Sequence, residues 1–227
     1  MKRTMAALAL VLGLVVLGQP AGTGVALAQA GSTYTVNITN LTPGQSFTPI
    51  LTATHSAAAS LFLPGTTASA ELGTLAETGD VAPLTALLNS MPAAVMQVVS
   101  GSGLTTPGVT TSLMIMGGGT FDRLSIAAML IPTNDTFVGV NTALPVDGSL
   151  TVVYGFAYDA GTEVNDETCA SIPGPSFVEC GGPGMGGAPG NGEGAVVISS
   201  GILGIGDFGS DHDWKNPVAR ITIQKIS

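Results

Sequence analysis

Short apolar segments recur along the chain, and clusters of glycine and proline separate most of them. The segments are rich in valine, isoleucine and threonine, which are residue types favoured in β-strands. Their spacing is typical of an antiparallel sandwich and not of alternating strands and helices. The predicted strands are residues 34–39, 94–100, 109–116, 124–131, 136–140, 150–158, 195–200 and 217–226. The sequence therefore predicts an all-β fold built as an antiparallel β-sandwich.

Two segments depart from this strand pattern. Residues 68–77 carry Leu72 and Leu75 at helical spacing, which predicts a first short helix. Residues 81–90 predict a second short helix, in which Pro83 suits the first turn. We expect one or two short helical segments beside the sandwich.

The first thirty residues predict a secretory signal peptide. Lys2 and Arg3 give a positive start, residues 5–18 form an apolar run of 14, and A-x-A cleavage patterns follow. The run is short for a membrane span, which needs about 20 apolar residues. An uncleaved membrane anchor is the alternative. We expect residues 1–30 to be removed and the protein to be exported, either to the periplasm or out of the cell.

Residues 31–227 are predicted to form one domain. Residues 173–194 are rich in glycine and proline and predict a long flexible loop. The segments after this loop are too small to fold alone, so they are the closing strands of the same domain.

The predicted mature chain is strongly acidic. Without Lys2 and Arg3 it has four basic residues against 15 acidic ones, a net charge of −11. Its overall field disfavours nucleic acid and anionic membranes as partners and favours cations. No second apolar run of membrane length follows, so we expect no stable membrane insertion after signal cleavage.

The chain has two cysteines, Cys169 and Cys180. In an exported protein an even pair favours a disulfide. The separation is not that of a redox C-x-x-C motif, and two thiols with two distant histidines match no zinc pattern. We expect a disulfide that fixes the loop.

The carboxylates fall into three groups, and the first two lie at the ends of predicted strands. The groups are Asp135; then Asp159, Glu163, Asp166 and Glu167; then Asp207, Asp211 and Asp213. Loops at one end of a sandwich can converge, and calcium takes six to eight oxygens from carboxylates and carbonyls. From spacing alone, solvated loop acids that keep the protein soluble are an equal alternative.

Enzyme signatures are mostly missing. The sequence has no G-x-S-x-G elbow, no H-E-x-x-H, no phosphate-binding glycine loop and no dinucleotide fingerprint that joins a predicted strand to a predicted helix. His55 and Ser56 could form a base and a nucleophile, but a hydrogen-bonded structural histidine is the favoured interpretation. A metal-dependent hydrolase that uses Asp207, Asp211 and Asp213 is the least favoured function.

Five pieces of the chain occur in the order and spacing of a known family. They are "YTVNITNLTPGQSFTPILTATH", "LFLPGTTASAELGTLAETGD", "LSIAAMLIPTNDTFVGVN", "YGFAYDAGTEVNDE" and "HDWKNPVARITI". The most specific are "PTNDTFVG", similar to P-S-x-D-W-F-V-G, and "YDAGTE", similar to D-A-G-T-D. The chain resembles the spondin amino-terminal domain family in its bacterial single-domain form.

The resemblance implies a C2-like or jelly-roll-like sandwich that is exported, non-enzymatic and binds calcium near one edge. It implies that Asp135, Asp159 and Glu163 are metal ligands, with Glu163 standing where the family often has aspartate. Thr136 replaces the usual tryptophan, and the thrombospondin-type repeats of animal relatives are missing. Animal partners are therefore not carried over.

The favoured function is a secreted adhesion or binding module in which calcium orders the loops at one end of the sandwich. Its expected partner is an unidentified extracellular protein or glycan. The alternative is a structural protein of the cell envelope or matrix with no specific ligand. Exposed apolar groups beside the acidic loops would favour the binding module.

Overall fold

The computed structural model describes residues 31–187 and 192–227. The signal peptide predicted at 1–30 and residues 188–191 of the predicted loop lie outside these ranges. Within them the chain forms two helices, α1 (Ala70–Thr78) and α2 (Ala82–Asn89). The described strands are β1 (Ser32–Asn40), β2 (Ser46–Phe47), β3 (Leu51–His55), β4 (Val95–Ser100), β5 (Thr110–Gly117), β6 (Arg123–Ile131), β7 (Thr136–Ala143), β8 (Thr151–Asp159), β9 (Pro173–Phe177), β10 (Gly182–Met185), β11 (Val197–Ile198) and β12 (Ala219–Lys225). None of the helices in the described part of the chain has the length and apolar character needed to cross a membrane.

Most of the strands belong to one sheet with the order β4-β3-β6-β7-β8-β12-β1-β5, and each described pair in it is antiparallel. The two end strands, β4 and β5, lie against each other, and the Met116 amide donates to Gln97 Oε1 between them. The sheet therefore folds over into a nearly closed sandwich. This confirms the predicted all-β class with two short helices.

The inner core lies between the two halves of the folded sheet. Strand β1 alternates buried and half-buried positions, with Tyr34, Val36 and Ile38 pointing inward. Ile126 from β6 and Ile221 from β12 join the same cluster. Successive side chains of a strand point to opposite faces, so apolar residues at every second position are buried on one side of β1.

A second core lies outside the sheet, under the two helices. Leu72, Leu75 and Leu84 of the helices pack with Phe137 of β7 and with other residues of β3 and β6. Strand β6 therefore has apolar layers on both faces, and each residue from Leu124 to Ile131 is buried. This double burial explains why "LSIAAMLI" is a continuous apolar run instead of an alternating one.

The structure differs from the sequence prediction at β3 and at the predicted loop, besides the two-residue strand β2, which was not predicted either. Strand β3 was not predicted, because "LTATH" is short and its five residues are all buried, so it shows no alternation. The stretch predicted as a flexible loop contains the β9–β10 hairpin, in which Gly182 pairs with Phe177. A low-complexity composition concealed this hairpin, because glycine and proline are depleted in most strands.

Candidate metal centre

Asp135 lies in the turn that joins two central strands. Strand β6 ends at Ile131 and β7 begins at Thr136, so the turn is residues 132–135. Thr133 Oγ1 donates to the Leu130 carbonyl at 2.5 Å and accepts from the Thr136 amide at 3.2 Å. These bonds satisfy the backbone at the strand ends and fix the direction of the Asp135 side chain.

The two carboxylate oxygens of Asp135 have different environments. Oδ2 accepts from the Thr162 amide at 2.7 Å, the Glu163 amide at 3.0 Å and Thr162 Oγ1 at 3.1 Å. Oδ1 is buried and has no hydrogen-bond partner among the described residues. A buried carboxylate oxygen without a partner carries a large desolvation cost unless a cation or a proton satisfies it.

Asn134, the neighbour of Asp135, contacts a second part of the loop that follows β8. Its Oδ1 accepts from the Glu167 amide at 3.1 Å, and its Nδ2 donates to Asp166 Oδ1 at 3.1 Å. The adjacent asparagine and aspartate therefore fasten the loop that follows β8 at two points. This loop carries the remaining predicted ligands.

Asp159 ends β8 directly beside the Asp135 turn, because Thr136 pairs with Asp159 in the sheet register. Its Oδ1 accepts from the Gly161 amide at 2.7 Å, and its Oδ2 accepts from Asn165 Nδ2 at 2.7 Å. Both aspartates are buried, with 0% and 4% of their surface exposed. The structure thus brings the two predicted aspartates to one end of the sandwich.

Burial raises the pKa of both carboxyls. Desolvation raises the pKa of Asp135 despite the amide hydrogen bonds to Oδ2. Desolvation, followed by the charge of Asp135, raises the pKa of Asp159 to about 7. Within the described residues, no lysine, arginine or histidine forms an ion pair with either aspartate. The pair therefore lacks a positive charge from these side chains.

Glu163 is the third predicted ligand, and its backbone amide is bonded to Asp135. Its side chain is buried, with 3% of the residue exposed. A group of three acidic or imidazole ligand atoms within 4.8 Å of one another occurs in the described residues at Glu179, Asp211 and His212, and not at the predicted ligands. The structure therefore places Asp135, Asp159 and Glu163 in one region but not as a tight trio.

Glu193 adds a further acid to this region. Asn165 Nδ2, which donates to Asp159, also lies 3.3 Å from Glu193 Oε1. The charge of Glu193 contributes to the raised pKa of both aspartates. A cleft of about 300 Å³ opens here, and Asp159, Val164, Glu193 and Leu203 are among the residues that line it. No pattern in the sequence predicted that Glu193 lies here.

The glycine of the "DAGTE" motif is required by the backbone. Gly161 has a φ of +70°, and a Cβ on it would lie 2.4 Å from the Ala195 carbonyl oxygen. A side chain there would meet both strain and a collision. Gly161 therefore lets the segment around Ala195 approach the loop that carries Asp159 and Glu163.

Glu167 organises a neighbouring loop, a role that the sequence did not reveal. Its two carboxylate oxygens accept from the amides of Leu203 at 2.5 Å and Ile205 at 2.9 Å, and its carbonyl accepts from the Asp207 amide at 2.8 Å. Glu167 has a φ of 55°, uncommon for a residue with a side chain. The acidic cluster could be seen in the sequence, but the sequence did not show which acid accepts from which amide.

The three aspartates of the hydrolase alternative do not form one site. Asp207 Oδ2 accepts from the Cys169 amide at 2.8 Å, and Asp213 Oδ1 accepts from the Ile202 amide at 3.1 Å. Asp211 lies beside His212 instead. Two of the three carboxylates thus stabilise loop backbone.

His55 has the structural role that the sequence favoured. Its Nε2 lies 2.7 Å from Ser125 Oγ and its Nδ1 lies 2.8 Å from the Ser56 carbonyl oxygen. His55 and Ser125 are both fully buried. A substrate has no access to this pair.

The predicted disulfide is present between Cys169 and Cys180, with a Cα–Cα distance of 5.5 Å. It ties the segment before β9 to the turn of the β9–β10 hairpin. The expectation from the even cysteine count is confirmed.

A protein-family model matches this chain. None of the curated proteins matches this chain. The Spondin_N family model matches residues 31–164, which include Asp135, Asp159 and Glu163. Because this match covers more than half of the sequence, the chain belongs to the spondin amino-terminal domain family, whose members are extracellular, non-catalytic binding modules.

Proposed function

We propose that the protein is an exported binding or adhesion module stabilised by calcium, with Asp135, Asp159 and Glu163 as the protein ligands of the ion. The observation that carries the proposal is the Oδ1 atom of Asp135, which is buried without a hydrogen-bond partner in the described structure. Carboxylate and loop carbonyl oxygens are the ligands that calcium takes in proteins. The donor set therefore fits the ion.

Calcium would supply the positive charge that the two buried aspartates lack. Without a cation, Asp159 is partly protonated at neutral pH, because its pKa is raised to about 7. With the ion, both become ligands in the charged form. Since Asp135 Oδ2 holds the Thr162 and Glu163 amides, a bound ion would also fix the loop after β8.

Exposed apolar side chains beside this region favour a binding module over a structural protein without a ligand. Val164 and Leu203 line the cleft next to Asp159 and are 43% and 61% exposed. Ile205, in the loop held by Glu167, is 66% exposed. Apolar groups beside polar and charged ones are typical of interaction sites. The proposed partner is an extracellular protein or glycan that meets these loops.

A calcium titration by calorimetry tests the ion site. We expect the wild type to bind one calcium per chain at pH 7.5. Asp135→Asn and Asp159→Asn should weaken binding at least about tenfold, as expected when a ligand charge is removed. Asp122→Asn is the matched control, because this exposed aspartate lies just before β6, at the end of that strand opposite Asp135. Equal affinity in all four proteins would contradict the proposal.

A binding assay tests the module itself. Immobilised wild-type protein is exposed to arrays of extracellular matrix proteins and glycans in calcium and in EDTA. We expect at least one ligand whose capture requires calcium and is lost in Leu203→Asp, a change on the exposed loop. If Leu203→Asp, and the wild type in EDTA, capture every ligand as well as the wild type in calcium does, the binding surface lies elsewhere on the protein.

A further inference from the structure

A second cluster of ligand-type side chains lies away from the calcium ligands. Glu179, Asp211 and His212 each offer one ligand atom, and these atoms lie within 4.8 Å of one another. His212 Nε2 is 3.0 Å from Glu179 Oε1 and 3.7 Å from Asp211 Oδ2. All three residues lie beyond the part of the chain that the family model matches.

The distances suit a zinc-sized ion. Zinc binds imidazole nitrogen and carboxylate oxygen at about 2.0–2.2 Å in a tetrahedral arrangement. Two donors at that distance from a common centre are about 3.4 Å apart. The two separations from His212 Nε2, 3.0 and 3.7 Å, lie on either side of this value. The three donors would leave a fourth position open to water.

Contacts on both ring nitrogens fix the direction of the His212 side chain. Nδ1 lies 3.3 Å from the Gly44 carbonyl oxygen. Nε2 faces the Glu179 carboxylate at 3.0 Å. A backbone carbonyl on the other ring nitrogen is also the usual support of a metal-bound histidine.

The ring of His212 is held in place before any ion binds. It packs edge-on against Phe208, with ring centroids 5.3 Å apart and an interplanar angle of 87°. Phe208 packs in the same way on Phe177 of the β9–β10 hairpin, at 5.4 Å. The His212 carbonyl accepts from Gln45 Nε2 at 2.7 Å. A ligand that is already oriented loses less entropy on binding.

Two neighbours hold the other parts of the cluster close to the ring. Glu179 precedes Cys180, so the disulfide to Cys169 restricts where its side chain can lie. A Cβ on Gly44 would lie 2.2 Å from the Asp211 carbonyl oxygen, so only glycine lets this turn approach Asp211 and His212. The turn around Gly44, the β9–β10 hairpin and the loop before β12 therefore meet at this point.

We propose that Glu179, Asp211 and His212 form a binding site for zinc or a similar divalent transition-metal ion, separate from the proposed calcium site. The imidazole decides the class of ion, because histidine is a ligand for zinc, copper and nickel, whereas calcium and magnesium prefer oxygen. Such an ion would join the disulfide-bonded hairpin to the loop before β12. This proposal does not depend on the calcium proposal.

The test is a zinc titration of the full disulfide-bonded protein by calorimetry, in excess calcium and a non-chelating buffer. Cobalt(II) serves as a second probe, because its visible absorption reports tetrahedral coordination. We expect one zinc per chain. His212→Gln should weaken zinc binding about a hundredfold or more and Glu179→Gln about tenfold or more, as first ligands should cost at least as much as supporting residues. Asp122→Asn should bind zinc like the wild type.

Two results would overturn the proposal. One is a wild type that binds no zinc saturably. The other is unchanged zinc affinity in Glu179→Gln, whose side chain is 27% exposed in a hairpin turn and whose substitution should leave the fold intact. Circular dichroism checks that His212→Gln is folded, and glutamine can still donate to the Gly44 carbonyl. If His212→Gln is unfolded, Glu179→Gln alone decides the outcome.

Discussion

Asp135 divides its two carboxylate oxygens between different partners. Oδ2 binds the loop after β8 through three hydrogen bonds, and Oδ1 is buried with no partner in the described residues. The sequence motif predicted the residue as a ligand but not this division. The division depends on how close the loop comes to the turn, which no local pattern encodes.

Two substitutions at Asp135 should separate the loop contacts from the ion. In EDTA, Asp135→Asn keeps an acceptor for the Thr162 and Glu163 amides, whereas Asp135→Ala leaves both without it. We expect the free energy of unfolding of the alanine variant to be about 1–3 kcal/mol lower than that of the asparagine variant, because its buried donors are unsatisfied. Urea denaturation measures the difference. Identical curves in EDTA would mean that Oδ2 does not stabilise the loop.

Asp159 should make stability depend on pH in the absence of calcium. Its pKa is raised from 3.8 to about 7 in the folded state, so between these values the folded protein binds more protons than the unfolded chain. The free energy of unfolding in EDTA should therefore fall as pH rises from about 4 to 7 and then level off.

Calcium should weaken this decline, because the ion binds the deprotonated pair. Asp159→Asn should remove most of the decline in EDTA. Denaturation curves at pH 5, 6, 7 and 8 measure the effect in both proteins. A wild-type stability that rises over this range would contradict the raised pKa.

At the scale of secondary structure, the sequence predicted the elements that have a clear period. The two helices were predicted close to their observed bounds, and so was the long strand β6, because length and continuous hydrophobicity mark it. Strand β3 and the β9–β10 hairpin were missed. Their stability comes from burial between neighbours and from the disulfide, and neither produces an alternating pattern.

The loop at 201–207 should depend on Glu167, which holds it from outside. Its carboxylate accepts from the amides of Leu203 and Ile205, and glutamine can replace only one of these acceptors. We expect Glu167→Gln to lower the free energy of unfolding by about 1–3 kcal/mol. Thermal melts measure this, with the exposed Asp122→Asn as control. A melt equal to that of the control would show that the loop does not depend on Glu167.

The disulfide should stabilise the hairpin through the unfolded state. Cys169 and Cys180 are 11 residues apart, and closing a ring of this size contributes about 3 kcal/mol by loop entropy. We expect Cys169→Ser/Cys180→Ser to lose about that amount, measured by urea denaturation. It should also weaken zinc binding, since Glu179 would lose its support. Unchanged stability in the double variant would contradict this account of the hairpin.

At the scale of the whole molecule, the sandwich brings together loops that are far apart in the sequence. The β6–β7 turn, the loop after β8 and the segment around Glu193 meet at one end. The fold class could be predicted from strand spacing, and the meeting of Asp135 and Asp159 at one end of the sandwich from the family motifs. Glu193, Glu167 and the His212 cluster could not, because their positions depend on how glycine-rich loops pack against the finished sheet.

The most direct test of the central claim is a melting curve of the wild-type protein in EDTA, in millimolar calcium and in millimolar magnesium. Calcium at a hundred times its dissociation constant adds about 2.7 kcal/mol to the free energy of unfolding. For a domain of this size, that corresponds to a rise of about 5–10 °C in Tm. We expect this rise with calcium and not with magnesium. An equal Tm in all three conditions would contradict the calcium site and leave Asp135 as a residue that only fastens a loop.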